Sequence, residues 1–127
     1  MVENRLIGVI GDLLAQSPAP ETPPSDRAKD EVVRNAAHRH NPFQAPERAR
    51  PKEAWTDPAT LRAQFASVRE RSIQFAESVD GDLRGRTLKH GIFGDLDCYQ
   101  WLVLLGSHCE RHVKQIEEVK ADSAYPR

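Results

Sequence analysis

Apolar residues recur every three or four positions in three stretches of the chain, and between them the pattern lapses into polar, proline-rich sequence. Val2, Leu6, Ile7, Ile10, Leu13 and Leu14 set the first stretch and predict an amphipathic helix over 2–16. Leu61, Phe65, Val68, Ser72, Phe75 and Val79 set the second, with Arg62, Arg69, Glu70, Arg71 and Glu77 on the other faces. Thr56-Asp57-Pro58 supplies a capping side chain and a first-turn proline, and Gly81 a left-handed stop, so this helix covers 57–80. The third stretch carries Cys98, Trp101, Leu102, Leu105, Cys109, Ile116 and Val119. Asp97 with Gln100 opens it as a capping box, which gives a helix over 97–121.

Eight of the nine prolines fall between Pro18 and Pro58, so 17–56 reads as a connector. Within it, the proline-free run from Asp26 to Ala37 can form a short helix that touches the core through Val32 and Val33. Gly91-Ile92-Phe93-Gly94 interrupts helical spacing before the last helix, and no alternating strand pattern is visible. Three long helices and one short one predict an all-α helical bundle, read as a single domain over 1–127.

Composition narrows the function classes. A net charge of −1 offers no field to gather a polyanion, and the one basic segment, Arg39 to Lys52, lacks interleaved aromatics. Neither nucleic acid nor a membrane is expected as a partner. The absence of a long apolar run or secretory start leads to an expectation of cytoplasmic residence. Cys98 and Cys109, eleven residues apart on one predicted helix, would lie about 16 Å apart and are expected as free thiols.

The chemistry concentrates in His108 and His112. Four residues apart on a helix, they stack on one face and can aim two imidazole nitrogens at a common point, which zinc, nickel or iron would accept. Their place in the apolar stripe predicts a buried face. Two histidines on such a face can equally well be hydrogen-bonded polar core. A catalytic metal takes three protein ligands, and the third would come from Glu3, Cys109, His38 or His40. His38 and His40 sit in polar sequence, where solvated histidines are the common case.

The run from Lys89 to Leu102, with His90-Gly91-Ile92-Phe93-Gly94 and Tyr99-Gln100-Trp101, followed by His108, His112, Gln115 and Ile116, resembles the C-terminal signature of the DinB-like metalloenzyme family. Gly91 stands where that family usually has proline. Arg50-Pro51 before Trp55, Phe65 with Arg69, and the opening Val2-Glu3-Asn4-Arg5 add weaker points of likeness. The resemblance implies a four-helix bundle holding nickel, zinc or iron through three histidines, two of which correspond to His108 and His112. It covers the C-terminal three quarters of the family pattern. The first helix and first ligand histidine have no counterpart, so the expectation is a truncated gene model or a three-helix remnant.

A bundle lacking one helix exposes an apolar groove at roughly 25 cal/mol per Å², and the expected cover is a homodimer. The resemblance also implies a thiol-dependent transferase or hydrolase using a low-molecular-weight thiol, with activity of the isolated chain impaired and no general base apparent. The alternative is a non-catalytic helical binding or dimerisation module.

Overall fold

The computed structural model describes residues 2–16, 23–38, 47 and 57–126. Its elements run α1 (Val2–Ala15), α2 (Lys29–Arg34) continued by a 3-10 turn over Asn35–Ala37, α3 (Pro58–Ser78), β1 (Thr87–His90), β2 (Gly94–Asp97) and α4 (Cys98–Ala121). The fold is helical, and the described residues include three long helices at the predicted places and a short one. The chain divides into two compact units, residues 1–12 with 41–80 and residues 13–40 with 81–127. Among the described residues no helix is long and apolar enough to cross a membrane.

In the first unit, Asp57 caps α3 by accepting from the backbone N–H of Ala59 at 3.1 Å and of Thr60 at 2.9 Å, with Pro58 in the first turn. Val68 and Ser72 are the buried positions of α3, and the Ser72 hydroxyl returns a bond to the Val68 carbonyl at 3.1 Å. Ile10 is the fully buried residue of α1 in this unit. Glu3 meets Arg69 at 3.3 Å and Asn4 accepts from Arg71 at 3.4 Å. Phe65, expected on the apolar face, is exposed and lies beneath the Arg69 guanidinium at 5.7 Å. The α3 helix ends at Ser78 with Val79 extended; Gly81 has a positive φ, but it lies in the turn beyond the helix end.

The second unit is built on α4. Its core joins Val33, Leu96 and Leu104, with Ala36, Phe93, Trp101 and Val103 packed around them. Of the two valines expected to touch the core, Val33 is buried and Val32 is exposed. The segment expected to carry no strand forms an antiparallel hairpin, pairing Thr87 with Asp97, Leu88 with Leu96, Lys89 with Asp95 and His90 with Gly94. Four-residue strands are too short for alternation to stand out against neighbouring helical periodicity. Gly94, with φ +69°, makes the return possible, because a left-handed backbone there costs glycine little. His90 closes the turn, its Nδ1 accepting from the backbone N–H of Ile92 at 3.1 Å and Phe93 at 3.2 Å.

Candidate metal centre on the last helix

The start of α4 is fixed by a buried polar network. Asp97 accepts from the Gln100 backbone N–H at 2.7 Å, and the Gln100 side chain accepts from the Asp97 N–H at 3.0 Å, completing the capping box. The Gln100 amide then donates to the Asp26 carbonyl at 2.7 Å and to Asp30 at 2.9 Å. The remaining Asp97 oxygen accepts from Ser25 at 2.5 Å and from Arg84 at 2.9 Å. Asp97 and Gln100 are fully buried, and these partners satisfy groups whose burial would otherwise be costly.

The network also sets which face of α4 is covered. Gln100, Leu104 and Ser107 are buried, whereas His108 and His112 are exposed. The expected stripe of Leu105, Cys109, Ile116 and Val119 is rotated by roughly a third of a turn from the buried one. The cause is chemical: polar Gln100 anchors the buried face to Asp26 and to Asp30 of α2, while the Ser107 hydroxyl is satisfied within α4 by the Val103 carbonyl, a choice that a hydrophobic pattern does not register. The histidines therefore do not occupy the buried face predicted for them.

They do meet each other. The two Nε2 atoms lie 2.9 Å apart, with the rings edge to face at a centroid distance of 4.5 Å. Two metal–nitrogen bonds of about 2.1 Å, opened to between a right angle and the tetrahedral angle, require nitrogens about 3.0 to 3.4 Å apart. The pair is thus close to the separation that one ion demands. On its other nitrogen, Nδ1 of His112 lies 2.6 Å from the Gln115 side-chain oxygen. Although the residue is exposed, desolvation of its ring by neighbouring atoms, then the nearby positive charge of His112, Arg111 and His90, lowers the His108 pKa from its ordinary value and favours the neutral ring that a metal needs.

No third ligand is placed beside them among the described residues. Among the described residues, no group of three or more His, Cys, Asp or Glu side chains could hold a metal ion. Glu3 pairs with Arg69 within the first unit. Cys109 is a partly buried thiol. The His38 carbonyl accepts from the Arg111 guanidinium, and His40 lies outside the described residues, as do Arg50, Pro51 and Trp55. His90, in the hairpin, is among the charges that act on His108. Its ring stacks on Phe93 and tilts against Trp101, both at 4.9 Å, and burial lowers its pKa. Because its Nδ1 accepts two backbone N–H groups, the proton of its neutral form is on Nε2.

The sequence model of the DinB superfamily matches residues 11–116, spanning the connector, the hairpin and the histidine pair. The chain belongs to the DinB superfamily. It is 26% identical over 97 residues to the uncharacterized protein YuaE of Bacillus subtilis (strain 168), an alignment covering 76% of this chain and 60% of that protein. This DinB chain thus spans about 60% of the length of the curated relative that it matches. No solved structure matches it.

Proposed function

We propose that this DinB protein binds a divalent metal, nickel, zinc or iron, through Nε2 of His108 and Nε2 of His112. The observation that carries the reading is their 2.9 Å separation. A single ion coordinated by both nitrogens replaces a contact that otherwise needs a shared proton. The metal, when bound, would supply a Lewis acid that makes a low-molecular-weight thiol or water nucleophilic near neutral pH, as in a thiol-dependent transferase or hydrolase. Two protein nitrogens leave the remaining coordination positions to such ligands. The reducing compartment that suits a thiol partner, the cytoplasm, also suits Cys98 and Cys109, which are free.

Zinc and nickel titration of the purified chain, with elemental analysis, tests this beside His108→Ala and His112→Ala. The expected result is one metal per chain in the parent and loss of stoichiometric binding in both variants. A parent chain that takes up neither metal overturns the reading.

A second reading, a homodimer or helical assembly module, is favoured by the outer end of α4. Val113, Ile116 and Val119 are 52%, 57% and 58% exposed there, three apolar side chains at three-residue spacing that a partner helix could cover. Light scattering at micromolar concentration should give twice the chain mass for the parent and the monomer mass for Ile116→Lys. A monomeric parent excludes it.

A further inference from the structure

We infer that Gln115 is a positioning residue for the metal centre: its side-chain oxygen holds the proton of His112 on Nδ1 and so turns the Nε2 lone pair toward His108. The inference rests on the proposed metal reading and deepens it. A carboxamide oxygen can only accept, so the 2.6 Å contact requires an N–H on His112 Nδ1. A neutral imidazole with that proton has an unprotonated Nε2, which lies 2.9 Å from its counterpart on His108. In the metal-free protein, the proton between the two rings therefore belongs to His108, and His112 is already in the tautomer that a metal requires.

The helix makes this arrangement local. Gln115 follows His112 by three residues and sits on a neighbouring face one turn along, within reach of the ring edge opposite His108. Metal-ligating histidines take their orientation and basicity from such an acceptor on the non-ligating nitrogen, and its loss typically weakens binding roughly 10- to 100-fold. His108 has no corresponding acceptor among the side-chain bonds of the described residues, and its Nε2 proton must move to Nδ1 when the ion enters.

Two substitutions separate the acceptor from the bulk of the side chain. Gln115→Met keeps length and helix preference but removes the oxygen; Gln115→Glu keeps an acceptor. Calorimetric zinc titration should show a loss of tenfold or more for Gln115→Met and an affinity at least equal to the parent for Gln115→Glu. Nitrogen NMR of the metal-free parent should show His112 with a protonated Nδ1 and a bare Nε2, and Gln115→Met should lose that preference. Unchanged zinc affinity in Gln115→Met, or a proton resident on His112 Nε2 in the parent, overturns the inference. The failures are distinguishable: a parent that binds no zinc removes the metal reading, while the tautomer measurement still decides whether Gln115 sets the ring.

Discussion

Asp30 and Arg84 meet end-on, each carboxylate oxygen receiving its own terminal guanidinium nitrogen, at 2.8 and 2.9 Å, although 54 residues separate them. The same guanidinium reaches Asp97 at 2.9 Å and lies over the Tyr99 ring at 3.8 Å. One side chain from the loop before the hairpin thus binds α2 to the first turn of α4. The pairing holds the Asp30 carboxyl well below the ordinary carboxylate range, first through the Arg84 bond and then through Gln100, and raises the already high Arg84 pKa.

Arg84→Met retains much of the bulk and removes every donor. It leaves the fully buried Asp97 without its countercharge, which should cost about 3 kcal/mol. Urea denaturation followed by circular dichroism measures this, and a double variant with Asp30→Asn should lose less than the sum of the two single losses.

Acid should weaken the same joint. Asp30 has a folded pKa below its unfolded one, so its contribution is fully present above the ordinary carboxylate value of about 4 and is lost as pH falls below it. Denaturation midpoints at pH 7 and pH 3 should differ more in the parent than in Asp30→Asn, which has no charge to lose. Equal shifts would mean that Asp30 carries no such linkage.

Two glycines three residues apart should respond to alanine with opposite signs. Gly94 has φ +69°, so Gly94→Ala should destabilise by about 1–2 kcal/mol. Gly91 lacks a positive φ, and a Cβ there meets nothing within 4 Å, so Gly91→Ala should stabilise by about 0.4–1 kcal/mol through the unfolded chain. Thermal melting of both variants reads the two signs in one experiment.

The two thiols should differ in reactivity. Burial, and then the Asp97 charge, pushes the Cys98 thiol up to about 11, and the residue has no exposed surface. Brief alkylation at pH 8 with peptide mapping should therefore modify Cys98 only after denaturant is added. Labelling of Cys98 in the folded chain at the rate of the partly buried Cys109 would contradict its burial.

The long helices were legible because their signals are local: Asp57-Pro58 and Asp97 with Gln100 announce their own caps, and the three-four spacing needs no distant partner. The pairing of the histidines was legible for the same reason, since four residues on a helix bring two rings together. Their exposure was not. The covered face of α4 depends on Gln100 reaching Asp26 and Asp30 some 70 residues away, bonds that no count of apolar residues anticipates. Arg84, an unremarked cation between two elements, acquires its role only when Asp30 and Asp97 converge on it. The Gln115 oxygen had a visible signal in its three-residue spacing from His112, but its function depends on which imidazole nitrogen it meets.

Asp97 is at once the last residue of β2 and the N-cap of α4, so no link of free chain lies between hairpin and helix. The helix consequently has no rotational phase of its own: it inherits one from the strand register in which Leu88 faces Leu96. A single residue inserted after Asp97 would advance everything downstream by about 100°. The histidine pair would keep its spacing yet point elsewhere, so its bearing is dictated from a hairpin more than two turns away that supplies neither ring.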